Sequence, residues 1–547
     1  MKTIGTGLTV ALLAGTAHAQ VQCQDVTAEA LGLDDVTITE AMAVPAGDES
    51  PVAQCRIRGV MAERTGADGR AYALRFELAL PDDWNGSFVH QFNGGNDGSV
   101  EPALGGLPSG TGDRPALSRG YAVVSSDAGH DGAAVPDAGL AGGARFGFDF
   151  EARRMYGYGA VATLDPVARQ AVETFYGQDI AYSYGMGCSN GGRHAMVAAA
   201  RMPEAFDGIL ATAPGYDLPR AALQHAIDVQ ALSAVTGDLA SSFTRDDLAL
   251  VADGIRASCD ALDGLEDGLV QDPAACEAAF DIGTLQCSPG QNGACLSEAQ
   301  VTALSQIHAG SLDGEAPPYS DWYWDAGIES GNWRFWKLES PIPPWGNLPL
   351  IAVMGSSSLA QVFTTPPTQV AGDPESLLEF AATFDVAARA DDINATTDAF
   401  PESAMEVMSP PGSDDPELAA FRDAGARLIV VHGNSDAVFS AKNTADWYAT
   451  LDANNGGEAG DFALYYPVPG MAHCQGGPTL DNYDMFAELV NWVENGEAPR
   501  EVPVSASPGN DEVPADLVDA TRPLCPAPLI ATYTGDDPMS ADSFTCQ

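Results

Sequence analysis

Ser189 and His473 are the residues best suited to chemistry, and each has a cysteine beside it. Ser189 lies in Gly187-Cys188-Ser189-Asn190-Gly191-Gly192 and His473 in Gly470-Met471-Ala472-His473-Cys474. A serine activated by a histidine base must come within about 3 Å of it. Chain neighbours of two residues so placed fall within the roughly 4.4–6.8 Å Cα separation that a disulfide tolerates. Cys188 and Cys474 are therefore expected to bond and clip the serine loop to the histidine loop. Gly187-x-Ser189-x-Gly191 permits the tight turn that lifts a serine hydroxyl above a sheet, and the Asn190 N–H is placed to help stabilise an oxyanion. Asp436, in His432-Gly433-Asn434-Ser435-Asp436, is the candidate for holding the His473 imidazole in its working tautomer. A second oxyanion donor is expected in Asn93-Gly94-Gly95, with Gly94 and Gly95 equally open. The remaining histidines of the mature chain, His90, His130, His194, His225, His308 and His432, show no ligand spacing and read as structural.

These residues need a scaffold that brings distant loops together. Short apolar runs precede each of them: Ser87 to Phe92, Tyr121 to Ser126, Ala181 to Met186, Gly208 to Ala213, Arg427 to Val431 and Phe462 to Tyr466. Buried strands with functional loops at their C-terminal ends predict a mostly parallel sheet. Helical patterns lie between them, at Asp165 to Tyr176, Arg193 to Arg201, Asn443 to Leu451 and Asn482 to Glu494. The order serine, aspartate, histidine along the chain is that of α/β-hydrolases rather than of chymotrypsin- or subtilisin-like proteases. The fold class expected is thus α/β, with a hydrolase core over 20–214 and 417–547. From about Gly215 to Pro416 the alternation fades, and aromatics gather at Tyr319, Trp322, Tyr323, Trp324, Trp333, Phe335 and Trp336. This stretch, 215–416, is expected to form an inserted lid.

The chain of 547 residues carries a net charge of −51, with lysine only at positions 2, 337 and 442. So acidic a surface argues against nucleic acid or an anionic membrane as partner. Lys2, the apolar run Leu8 to Ala14 and Ala17-His18-Ala19 read as an export signal over residues 1–19. No later stretch is long and apolar enough to cross a bilayer. Ten cysteines with no CxxC pair fit a secreted, disulfide-bonded protein, periplasmic or extracellular. Between Cys259 and Cys276, the loop Asp260-Ala261-Leu262-Asp263-Gly264-Leu265-Glu266-Asp267-Gly268-Leu269 offers carboxylates and carbonyls on a tight turn. That suits calcium, although the aspartate spacing is not that of an EF-hand, and a solvated acidic turn is the other reading.

Four stretches together resemble the tannase and feruloyl esterase family, which includes terephthalate-monoester hydrolases: Gly187 to Arg193, Phe206-Asp207-Gly208-Ile209, His432-Gly433-x-x-Asp436 and Met471 to Cys474. The tail Arg522-Pro523-Leu524-Cys525-Pro526 adds to the match. The resemblance implies an α/β-hydrolase with an inserted lid and a triad of Ser189, Asp436 and His473. It implies pairing of Cys23 with Cys55, Cys259 with Cys276, Cys287 with Cys295 and Cys525 with Cys546. It also implies a structural calcium held by the side chains of Asp260, Asp263 and Asp267 and the carbonyls of Leu265 and Leu269. Phe439 looks like an aromatic pocket position of the terephthalate-monoester enzymes, whose lid arginine has candidates here in Arg334 and Arg389. The function expected is a secreted serine esterase acting on small esters of aromatic acids through an acyl-enzyme. Its rivals are a terephthalate-monoester hydrolase, a serine peptidase of the same fold, and a non-catalytic secreted protein that binds calcium or carbohydrate.

Overall fold

The computed structural model describes residues 21–291 and 293–547. The expected export signal lies outside the described residues. Nine strands form one sheet: β1 (Val36–Val44), β2 (Gln54–Thr65), β3 (Ala71–Pro81), β4 (Ser87–Phe92), β5 (Ala122–Ser126), β6 (Tyr182–Cys188), β7 (Gly208–Thr212), β8 (Arg427–Gly433) and β9 (Ala463–Val468). Their spatial order is β1-β2-β3-β5-β4-β6-β7-β8-β9. The six from β4 onward run parallel to their neighbours in that set, as expected from their continuous apolar runs. The first three are antiparallel, and β3 joins β5 antiparallel. This antiparallel edge was not among the expected strands. β2 is buried on alternate residues over much of its length, the half-exposed pattern of an antiparallel edge.

Alternation along the parallel strands divides the core into two faces. Leu210, Ile429 and Val431 point to one face, where Phe486, Leu489 and Trp492 of the helix Met485–Asn495 cover them. Ile209, Ala211, Leu428 and Val430 point to the other, against the helices Asn190–Arg201 and Ala441–Asn454. Each fully buried Leu, Ile or Val of this kind stabilises the fold by about 1.5–3 kcal/mol. The result is a helix–sheet–helix sandwich, the layering that a parallel sheet requires.

Strand order then fixes where the loops meet. The chain goes from β4 sideways to β5, then back across β4 to β6. The C-terminal ends of β4 and β6 are thus a topological switch point, where α/β sheets open a crevice. Register completes the alignment, with Phe92 opposite Gly187, Cys188 opposite Thr212 and Gly433 opposite Val468. Between β7 and β8 the chain leaves the sheet and becomes helical, including Leu218–Thr236, Arg245–Cys259, Glu298–Ala309 and Gly331–Lys337. This segment has its own apolar core around Val229, Leu232, Val251, Ile255, Leu304 and Trp333.

Candidate active site

Three glycines let the serine turn form. A Cβ on Gly187 would stand 2.5 Å from the Gly191 carbonyl carbon, one on Gly191 2.4 Å from the Phe92 oxygen, and one on Gly192 2.5 Å from the Thr212 oxygen. Real side chains do not tolerate such contacts, so the backbone of β6, the turn and the helix can nest only without them. Ser189 itself sits at φ 65°, ψ −125°. That is a strained conformation for a residue with a Cβ, and such strain collects at functional sites. It is held by the Ser189 N–H donating to the Thr212 carbonyl at 3.0 Å and by the Arg193 N–H donating to the Ser189 carbonyl at 3.0 Å.

The histidine and aspartate loops complete the arrangement. His473 Nε2 lies 2.9 Å from Ser189 Oγ, and His473 Nδ1 lies 2.7 Å from Asp436 Oδ2. Asp436 is fully buried, and its other oxygen accepts the N–H groups of Val438 at 2.7 Å and Phe439 at 3.1 Å. Burial alone would raise this carboxyl, but the electrostatic pull of neighbouring His473 and hydrogen bonds from His432 and His473 hold it well below the usual carboxylate range. The Cys188–Cys474 disulfide is present with a Cα separation of 6.1 Å, and the other four pairs are Cys23–Cys55, Cys259–Cys276, Cys287–Cys295 and Cys525–Cys546. All five pairings match the expectation.

Two residues read as structural belong to this site. His432 Nε2 lies 3.1 Å from the same Asp436 oxygen, while its Nδ1 faces Thr444 Oγ1 at 2.9 Å. A carboxylate only accepts, so His432 donates from Nε2, which in a neutral ring leaves Nδ1 to accept the Thr444 hydroxyl. The four-residue spacing in His432-Gly433-x-x-Asp436 was the available signal. His225 lines a narrow cavity beside Ser189, of about 40 Å³, together with Gly95, Asn190, Trp336 and Phe439. Its Nε2–H donates to the Val438 carbonyl at 3.3 Å, and burial pushes its basicity down to about 3, so it stays neutral.

The oxyanion loop is tied to the serine turn by a residue the sequence did not single out. Asp97 accepts from Asn190 Nδ2 at 2.7 Å and contacts His194 Nε2 at 3.0 Å. Burial raises its carboxyl to about 7. Gly94 packs near Ser189, and Gly95 lines the cavity with it. Neither the Asn190 nor the Gly95 N–H donates to a protein acceptor among the described residues.

The helical segment between β7 and β8 and the aspartate loop each supply a ring to the aromatic wall. Trp336, from the helix Gly331–Lys337, stands edge-on to His473 with ring centroids 5.0 Å apart. Phe439, three residues beyond Asp436, also stands edge-on to His473, with ring centroids 5.5 Å apart. Arg334 and Arg389 do not line the cavity. Arg334 is buried against Glu339 and the Phe243 carbonyl, and Arg389 pairs with Asp392. The expectation of a lid arginine facing the site is therefore not met by either residue: each has a nearer acceptor in its own neighbourhood.

The acidic loop is folded on itself. Asp260 accepts the N–H groups of Asp267 at 3.1 Å and Gly268 at 2.8 Å, and Asp263 that of Leu265 at 3.0 Å. Asp267 accepts the N–H of Leu269 at 3.1 Å and is paired with Arg522 at 3.0 Å. Asp263 Oδ2 is buried with no partner. Burial, with Asp267 and Asp260 nearby, pushes the Asp263 carboxyl up to about 7. Among the described residues, no three side chains of His, Cys, Asp or Glu stand grouped as a metal cage. The donors are all oxygens and one of them is orphaned, which is the chemistry a hard cation selects.

A family model described as tannase and feruloyl esterase matches residues 55–547. The mono(2-hydroxyethyl) terephthalate hydrolase of Piscinibacter sakaiensis is 39% identical over 522 residues, covering 90% of this chain and 84% of that protein. A probable feruloyl esterase of Arthroderma benhamiae is 29% identical over 488 residues, covering 86% and 81%. Among solved structures, feruloyl esterase B from Aspergillus oryzae superposes with a TM-score of 0.73 at 22% identity, covering 94% of this chain and 97% of that one. That likeness places the fold among α/β-hydrolases.

Proposed function

The chain belongs to the tannase and feruloyl esterase family, and from that membership we propose that it is a secreted serine esterase for esters of aromatic acids. The observation that carries the reading is the continuous relay from Ser189 Oγ through His473 to the buried Asp436, at 2.9 and 2.7 Å. His473 Nε2 takes the Ser189 proton as Oγ attacks the ester carbonyl. Asp436 keeps the Nδ1–H in place and stabilises the imidazolium. The Asn190 N–H and, of the two glycines, the Gly95 N–H hold the oxyanion, since Gly95 lines the cavity with Ser189. His473 returns the proton to the departing alcohol. A water then follows the same route, with His473 as base, to release the acid and restore Ser189.

The segment 215–416 acts as the lid of this site, with Trp336 and Phe439 flanking the acyl ring. Calcium would be held by Asp260, Asp263 and Asp267 with the carbonyls of Leu265 and Leu269; it would add rigidity to that segment and no step of catalysis. The orphaned Asp263 oxygen supports this. Five disulfides fit an oxidising compartment, and among the described residues no helix is long and apolar enough to cross a membrane. A second reading, hydrolysis of a terephthalate monoester, is favoured by the 39% identity to an enzyme of that name. Against it, neither arginine candidate reaches the cavity to pair with a free carboxylate.

The test is hydrolysis of methyl ferulate, methyl gallate, the terephthalate monoester and a short aliphatic ester by wild type and Ser189→Ala. Turnover of an aromatic ester, abolished by Ser189→Ala, is expected. No turnover of any of these by folded wild type would overturn the reading.

A further inference from the structure

The aspartate and histidine loops must hold a fixed register for His473 to meet Asp436. Part of that register is made within the loops: the Ser435 N–H donates to the Met471 carbonyl at 3.0 Å, and a Cβ on Gly433 would stand 2.2 Å from the same carbonyl oxygen. The rest comes from outside them. Asp325, in the segment between β7 and β8, is buried with 3% exposure. Its Oδ1 accepts the Ser435 hydroxyl and the Gly470 N–H, the latter at 3.1 Å. The same oxygen accepts the N–H of Gly327 at 3.2 Å, which closes the turn on itself. Ser435 immediately precedes Asp436, and Gly470 lies three residues before His473.

The fit around this carboxylate is close. A Cβ on Gly327 would stand 2.5 Å from Ser435 Oγ and 2.6 Å from the Gly470 oxygen. The short helical turn Ala326–Glu329 therefore rests directly on both loops. It leads into Gly331–Lys337, which carries Trp336 to within 5.0 Å of the His473 ring. Among the described residues, no charged side chain lies within hydrogen-bond distance of the Asp325 carboxylate, whose donors are a hydroxyl and backbone N–H groups.

We propose that Asp325 is a positioning residue of the reaction: a single buried carboxylate in the inserted segment that locks the aspartate loop to the histidine loop and sets the His473–Asp436 geometry. This rests on the esterase reading above and goes beyond it by assigning part of the catalytic alignment to the insertion. Its consequence is that the insertion does more than contact substrate. It fixes the base even for a substrate too small to touch the aromatic wall.

That consequence separates positioning from a merely structural anchor of the wall. Asp325→Ala should lower kcat about a hundred-fold on a short aliphatic ester and on methyl ferulate alike, the scale expected when reacting groups shift by about 1 Å. KM for the aliphatic ester should stay near wild type. Asp325→Asn keeps a carbonyl oxygen able to accept from Ser435 and Gly470, so it should recover most of kcat. The acidic limb of the kcat/KM profile, which reports His473, should move in the alanine variant and return in the asparagine variant. A loss confined to KM for methyl ferulate, with kcat on the aliphatic ester unchanged, would overturn the proposal, as would an asparagine variant no better than alanine. If Asp325→Ala does not fold, Ser435→Ala removes one bond of the lock and decides the matter: a several-fold fall in kcat is expected, and an unchanged kcat overturns it. All of these are read against active wild type. An inactive wild type would instead count against the esterase reading itself.

Discussion

The loops at the ends of β4, β6, β8 and β9 and the helical segment between β7 and β8 meet around His473, but different forces hold them there. The loops are fixed by backbone. Gly187, Gly191, Gly192 and Gly433 all sit where a Cβ would come within 2.5 Å or less of a neighbouring main-chain atom. Their side chains are joined by hydrogen bonds, and Cys188–Cys474 staples two of them. The helical segment is held by apolar packing and offers rings, Trp336 above all. Close backbone nesting tolerates almost no change, whereas a packed aromatic wall adapts with volume-conserving swaps. The difference teaches which part of this molecule is free to vary: on the proposed reading the loops, locked by Asp325, set the chemistry, and the aromatic wall sets the choice of acyl group.

The sharpest way to break that division is Asp436→Asn. The amide keeps an oxygen for the Val438 and Phe439 N–H groups, so the loop should hold its shape. Its NH2 then faces both His473 Nδ1 and His432 Nε2, which moves the proton of each ring to its other nitrogen and leaves Ser189 without a base. A fall of about 10⁴-fold in kcat is expected, the scale seen when a triad histidine is held in the wrong tautomer. Relative rates across the aromatic ester panel should not change, because the wall is untouched. A changed ranking of substrates would show that the loops and the wall are not separable in this way.

The disulfide tests the loops alone. Replacing both Cys188 and Cys474 by alanine removes a link between residues 286 apart in the chain. A loss of about 2–4 kcal/mol in stability is expected, measured by denaturant unfolding. A several-fold drop in kcat should accompany it, with KM for methyl ferulate little altered, because the clip aligns nucleophile and base rather than the acyl ring. Unchanged kcat would mean that the hydrogen bonds and the Asp325 lock suffice on their own.

The same division explains what could be read from the sequence. The six parallel strands, the triad and the pairing of Cys188 with Cys474 were legible because each is signalled locally, by an apolar run ending in glycines or by two reactive residues with matching neighbours. The chain order of Ser189, Asp436 and His473 added the topology. What stayed hidden depends on partners far apart in the chain. Asp325 finds Ser435 across 110 residues, and Asn190 finds Asp97 across 93. No periodicity marks such encounters. His225 looks structural because nothing in its neighbouring residues distinguishes a core histidine from one facing a cavity, whereas His432 is marked only by its four-residue spacing to Asp436. Arg334 and Arg389 misled for the converse reason: their charge suggested a carboxylate ligand, and Glu339 and Asp392 met that need locally.

The smallest expected effect belongs to the acidic loop, and it tests whether the helical segment depends on an ion as the strand-end loops depend on a disulfide. In the unfolded chain Asp263 titrates in the ordinary carboxylate range, near 3.9. In the folded protein it is raised to about 7. Between those values the folded state binds more protons than the unfolded state, so without a cation the contribution of Asp263 to stability falls as pH rises through that window. A bound calcium takes the place of that proton and removes the penalty. The Tm gain from calcium over a chelator should therefore be small at about pH 5 and larger at about pH 7.5, by a few degrees, and Asp263→Asn should flatten the difference. A calcium gain of the same size at both pH values, or one that survives Asp263→Asn, would place the ion elsewhere. No gain at either pH would leave the loop as a solvated acidic turn held by Arg522.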